Sequence, residues 1–269
     1  MKKKIFIIIS IILILISAFF IYRKMKSPYI TVLMYHQIIN KNDIPKKYLD
    51  EYGNVVNPFV ISTEKFEHQM DILKENNFYT LTLDDVLLFV EGKKEIPKNS
   101  ILITFDDGNK NNYINAYPIL KKRNMNAVIF LITSKIIENN DEYNPGKSQY
   151  LSKTEITKSK DVFEFASHTN NMHKREKDNN LPYLKSKSEE EIEKDTKESL
   201  KNVDKPYFAY PYGSYNKKVS EILAKSGIKA AFSTHRGKIK KGDNIYELKR
   251  NIVEEKYSDE KFKKIIGIK

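Results

Sequence analysis

Two adjacent aspartates and a glycine end the apolar run of "ILITFDDG", residues 101–108, and two histidines stand five residues apart in "SHTNNMH", residues 167–173. Side-by-side carboxylates repel each other, a cost that solvent relieves at a surface turn and that a bound cation turns to use. At this spacing His168 and His173 point to opposite sides of a strand and lie well off a common face of a helix. They converge only across a turn, which Asn170 and Asn171 favour. Two neutral imidazoles and one carboxylate make an open site for a divalent metal ion, leaving positions for water and substrate. In such a site one aspartate binds the ion while the other takes a proton from water, because the ion keeps both ionised and brings the pKa of water toward neutrality. Gly108 allows the sharp turn beside them. The plainer reading keeps "DDG" as a surface turn and either histidine as a structural residue.

The elements that must position these groups read as alternating strands and helices. Strands are expected at 29–36 ("YITVLMYH", ending in Tyr35–His36), 100–105, 126–132, 162–168, 207–213, 229–234 and 246–253. Helices are expected at 61–77, 82–92, 111–124 (where Pro118 would introduce a kink), 152–159, 188–203, 216–227 and 258–266. Ser62 reads as an N-cap, with Ile61 and Phe66 as a hydrophobic staple, and His68 as a solvated helix residue. The run of Lys and Glu within 188–203 reads as a solvated helix face, and residues 37–60 read as one long loop. Alternation of this kind implies parallel βαβ units. About seven such strands make the fold class α/β, a barrel more than an open sheet. In a barrel the carboxyl ends of the strands share one mouth, so Asp106, Asp107, His168, His173 and His36 could meet there.

The chain has 269 residues, 40% of them hydrophobic, and no cysteine. One sizeable core fits this length, and any metal must be held by His, Asp or Glu. At the amino end, an uncharged run from Ile5 to Tyr22 lies between Lys2–Lys4 and Arg23, Lys24 and Lys26. Eighteen residues just span a bilayer. The bulky residues after Ser17 and Ala18 do not suit a signal-peptidase site. The expectation is therefore an uncleaved membrane anchor over 1–26, a single transmembrane helix, followed by one catalytic domain over 27–269. The net charge of +12 suits an anionic envelope surface. No basic stripe with interleaved aromatics is present, which argues against nucleic acid.

"TFDDG", "SHTNNMH" and "AYPYG", in that order, resemble the first three motifs of the polysaccharide deacetylase family (NodB homology, carbohydrate esterase 4). The "VLMYHQI" strand before them resembles the branch that includes poly-β-1,6-N-acetylglucosamine N-deacetylases, and the likeness spans roughly residues 29–255. It implies a distorted (β/α) barrel, with permuted element order in that branch, and metal-dependent removal of acetyl groups from an N-acetylglucosamine-containing polysaccharide. Matched motif by motif, Asp106 would be the general base. Asp107, His168 and His173 would hold a divalent ion, zinc or alternatively cobalt, nickel or iron. The backbone N–H of Tyr212 would help hold a tetrahedral oxyanion. Three departures stand out. The histidine pair has the longer spacing of that branch, Ala209 replaces the arginine of the third motif, and no histidine follows His235. Arg250 in "ELKRNIV" is the candidate substitute for the arginine. His36 matches the histidine that takes the acid role in that branch, with His235 as its rival. Tyr35, Tyr212 and Tyr215 are candidate sugar-stacking walls. The expected protein is a monomer, single-pass in the cell membrane, with its catalytic domain outside. The alternatives are a peptidoglycan or chitooligosaccharide deacetylase, or a non-catalytic glycan-binding protein on a decayed scaffold.

Overall fold

The computed structural model describes residues 28–268. The expected anchor over 1–26 lies outside the described residues, and within them no helix is long and apolar enough to cross a membrane. The strands, in chain order, are β1 (Ile30–Tyr35), β2 (Gln37–Ile39), β3 (Val60–Ser62), β4 (Tyr79–Thr80), β5 (Ser100–Phe105), β6 (Ala127–Leu131), β7 (Phe163–Ser167), β8 (Tyr207–Ala209), β9 (Ala230–Phe232), β10 (Lys238–Ile239) and β11 (Asn251–Ile252). The α-helices are α1 (Thr63–Glu75), α2 (Leu83–Val90), α3 (Tyr117–Lys122), α4 (Lys153–Lys158), α5 (Tyr183–Ser186), α6 (Glu189–Leu200), α7 (Lys217–Lys225) and α8 (Asp259–Ile266).

The fold is α/β, built on a curled, mostly parallel sheet in the order β10–β1–β5–β6–β7–β8–β9. Strands β1, β5 and β6 are buried along their whole length because both of their faces are covered. Alternate residues enter two separate cores. Leu33, Ile103, Phe105, Ile129 and Leu131 pack beneath α1, α3 and α8. Val32, Leu102, Val128, Phe130, Ala166, Ala209 and Phe232 share a second cluster with Leu248. A single cluster fed by strands from both edges of the sheet requires the sheet to curl around it. The segment after β10 links the two edges: Leu248 bridges Phe232 of β9 in parallel, and three residues on, β11 pairs in parallel with Leu33 and Met34 of β1.

Side-chain caps start most of the helices. Ser62 accepts from Lys65 N–H at the head of α1. Capping boxes open α2 (Thr82 and Asp85), α4 (Ser152 and Glu155) and α6 (Ser188 and Glu191). His68 on α1 is an exposed helix residue paired with Asp259 at 2.7 Å.

Two expectations need correction, and a third takes a specific form. Residues 37–60 are not one loop: β2 at their start pairs in parallel with β3 at their end, and Ile39, Ile44 and Val60 form a small core of their own. Pro118 lies inside an unbroken helical run over 110–122, and the irregularity expected there takes the form of a π-helical turn at Asn112–Ala116 just before it, where the missing N–H is accommodated. The strand expected over 246–253 contracts to Asn251–Ile252 and the bridge at Leu248.

Candidate metal centre and active site

The carboxyl ends of β1, β5, β7 and β8, with β6 between β5 and β7, lie at one end of the sheet. Tyr35 is in register with Phe105, and Ser167 with Phe208, so His36, Asp106 and His168 each follow at the same end. Immediately beyond the strands the backbone takes left-handed conformations at Asp107 (φ 76°), Thr169 (φ 75°) and Tyr212 (φ 58°). Such values are costly for non-glycine residues, above all for β-branched Thr169, and they gather where side chains are aimed at a site. Gly108 follows with φ 78°, and a Cβ there would meet Leu131 Cδ2 at 2.7 Å. The tight turn expected after the aspartates therefore needs glycine twice over, for backbone angle and for space.

Asp107 and the two histidines converge. Asp107 Oδ1 lies 3.7 Å from His168 Nε2 and 3.4 Å from His173 Nε2, and one donor atom from each of the three lies within 4.8 Å of the others. His168 Nδ1 is 2.7 Å from the Ala209 carbonyl. A carbonyl only accepts, so Nδ1 carries the proton and the Nε2 lone pair faces Asp107. Burial holds His168 far down, to about 3, and lowers His173 as well, so both rings stay neutral, the form that binds metal. Burial pushes Asp107 upward, and its buried Oδ1 has no hydrogen-bond partner. An orphaned carboxylate oxygen facing two imidazole nitrogens is costly unless a cation lies among them. The residues present therefore fit a divalent ion. Replacing His168 with Ala should cost more in metal affinity than the roughly 10–100-fold typical of losing an outer partner. Elemental analysis of the dialysed chain tests this, and unchanged metal content would remove His168 from the set.

The neighbouring carboxylate is held in a different way. Asp106 receives both arms of the Arg250 guanidinium, Nη1 to Oδ1 at 2.6 Å and Nη2 to Oδ2 at 2.8 Å. Arg250 is fully buried, and its Nε–H donates to the Ser233 carbonyl at 3.0 Å. Burial alone would raise Asp106. The Arg250 guanidinium, with His168 and His36 close by, outweighs burial and holds the carboxyl well below the usual carboxylate range. His36 Nε2 lies 3.9 Å from Asp106 Oδ2, and the buried His36 Nδ1 has no partner. Tyr212, in the turn Pro211–Gly213, sets its ring 4.6 Å from that of His173. Gly213, at φ 63°, makes that turn possible, since a Cβ there would lie 1.9 Å from Thr234 Oγ1.

Thus Asp106, Asp107, His168, His173, His36, Tyr212 and Arg250 gather in one place. His235 sits further out, its Nδ1 3.4 Å from the Tyr215 hydroxyl. Tyr35 is not a wall of the mouth: it is buried, packs on Phe66 and Phe105, and donates its hydroxyl to Gln69. Tyr215 stacks on Tyr210 with centroids 4.7 Å apart.

Two supporting groups escaped the sequence reading. Asp195, inside the charge run of α6, accepts from the backbone N–H groups of Asn170 and Asn171 at 2.9 and 2.7 Å, clamping the turn between the histidines. Lys110, which is buried, pairs with Glu155 at 2.7 Å and Asp141 at 3.0 Å, tying the segment after the aspartates to those carrying Asp141 and Glu155. Glu and Asp three or four residues apart in a lysine-rich helix look like solvated charge, and only the folded chain shows which one turns inward.

Comparison with known proteins follows the same lines. The family described as "Polysaccharide deacetylase" matches residues 93–231. A protein of Staphylococcus aureus (strain MRSA252) named poly-beta-1,6-N-acetyl-D-glucosamine N-deacetylase is 31% identical over 243 residues, spanning 87% of this chain and 80% of that protein. Among solved structures, the Streptococcus pyogenes deacetylase PplD in complex with acetate superposes with a TM-score of 0.73 at 24% identity, over 90% of this chain and 99% of that one. IcaB from Ammonifex degensii gives 0.69 at 24% identity, over 88% and 95%. At these identities the two structures speak for the fold alone.

Proposed function

The chain belongs to the polysaccharide deacetylase family, and from that premise we propose that it hydrolyses N-acetyl groups from N-acetylglucosamine residues of an extracellular polysaccharide, most consistent with poly-β-1,6-N-acetylglucosamine. The observation that carries the reading is the division of labour between adjacent carboxylates. Asp107 faces two imidazole nitrogens, and Asp106 is locked by Arg250 and kept out of that set.

Asp107, His168 and His173 would hold the divalent ion, zinc or alternatively cobalt, nickel or iron. When bound, such an ion supplies Lewis acidity, polarising an acyl oxygen and acidifying water. Asp106 takes a proton from the attacking water. The Tyr212 backbone N–H donates to the oxygen that gains charge. His36, whose Nε2 lies 3.9 Å from Asp106 Oδ2, gives a proton to the departing nitrogen as the C–N bond breaks. The products are acetate and the free amine of the sugar.

The curled sheet is read as a distorted (β/α) barrel of seven parallel strands, β1, β5, β6, β7, β8, β9 and β11, in permuted order. Residues 1–26 are read as a membrane anchor holding the domain 27–269 outside the cell, supported by the uncharged run Ile5–Tyr22 between lysines. Acetate release from defined β-1,6- and β-1,4-linked N-acetylglucosamine oligomers tests the substrate. Faster release from the β-1,6 series is expected. A preference for the β-1,4 series would move the reading to peptidoglycan or chitooligosaccharides, and no release from either would leave a glycan-binding protein.

A further inference from the structure

We propose that Phe59 is the sugar-stacking platform of the substrate groove, the residue that reads the pyranose ring beside the amide under attack; this rests on the deacetylase reading above. Phe59 is the last residue before β3, and 45% of it is exposed. Its ring meets that of His36 with centroids 4.5 Å apart and planes at 47°, and His36 in turn lies 3.9 Å from Asp106. An apolar face in water therefore adjoins the group that protonates the leaving nitrogen. That nitrogen is bonded directly to the sugar ring, so the ring must come to rest against whatever flanks His36.

The platform is fixed in place before any ligand arrives. Phe59 N–H donates to Asn57 Oδ1 at 2.9 Å, and the Phe59 carbonyl accepts from Gln37 N–H at 3.0 Å. These bonds pin both sides of the residue, so little backbone entropy is lost on binding. A phenyl ring offers no hydrogen bond, and its exposure has no use in the fold. A hexopyranose of the gluco configuration, with its substituents equatorial, presents axial C–H groups to such a face, which buries apolar area and meets the negative π surface. Two other rings at the mouth keep charged or aromatic partners of their own, although 42% of Tyr212 is exposed. Tyr212 lies under the Arg175 guanidinium, 4.1 Å from its centroid, and beside His173. Tyr215 lies on Tyr210.

The test compares the full-length, metal-loaded chain with Phe59→Leu and Phe59→Trp, using a β-1,6-linked N-acetylglucosamine oligomer and the ring-free ester ethyl acetate, whose poor leaving group also needs a proton. Leucine keeps apolar packing on His36 but has no ring face. It should raise KM for the oligomer and lower the ratio of oligomer to ester kcat/KM by about 10-fold, as loss of one aromatic contact and its buried area implies. Tryptophan should restore the ratio. An equal fall on both substrates would make Phe59 a support for His36 and overturn the proposal, as would an unchanged ratio. A wild-type chain that releases acetate from neither substrate would overturn the deacetylase reading itself.

Discussion

Asp106→Asn should lower kcat for acetate release by about 10²–10⁴, the usual worth of a positioned acid–base group, while the chain keeps its metal. The two outcomes separate because the two carboxylates differ. Asp107 carries the oxygen that faces His168 and His173, whereas both Asp106 oxygens are committed to Arg250. Asparagine fills the same volume and still offers one oxygen to the guanidinium, but it cannot hold a proton. Elemental analysis alongside kinetics on a chromogenic acetyl substrate decides the matter. Full activity in Asp106→Asn would end its assignment as base. Loss of metal together with activity would show that Asp106 belongs to the ligand set.

Much of this site was legible because it breaks local patterns. An apolar strand that ends in two acids, and another that ends in histidine, place polar groups where a plain core would not. The turn between His168 and His173 could be inferred from spacing and from two asparagines. The supports were less legible. Arg250 could be picked out only as a substitute for the arginine that Ala209 replaces; it stands 144 residues from Asp106, and the two meet only because the segment carrying Leu248 and Asn251 links the far edges of the sheet. Asp195 hides among solvated charges, since nothing local shows that its helix abuts the histidine turn. The misplacement of Tyr35 was avoidable. Alternation along β1 puts neighbours on opposite faces, so a His36 at the mouth sends Tyr35 into the core beneath Phe66 and Phe105. The short β2 and β3, three residues each, carry too few residues for any period to show.

Arg250→Met should destabilise the chain by about 3–5 kcal/mol at neutral pH, because it leaves the Asp106 carboxylate buried and unpaired. Methionine approximates the volume of the side chain, so the cost reports the charge more than a cavity. The dependence on pH carries the argument further. In the native chain the carboxyl is depressed, so its stabilising contribution is present above the ordinary carboxylate pKa and is lost as pH falls toward the native value. Without the guanidinium, burial dominates and the carboxyl rises above its unfolded value, so the variant gains stability as pH falls through that raised value. The gap between the two chains should therefore narrow on acidification, as read by urea unfolding at a series of pH values. The same shift should carry the acid limb of kcat/KM to higher pH, since the base is protonated sooner. A gap that holds constant with pH, or an acid limb that stays in place, would mean that Arg250 acts only as packing. Asp106 would then owe its ionisation to something other than the guanidinium that grips it.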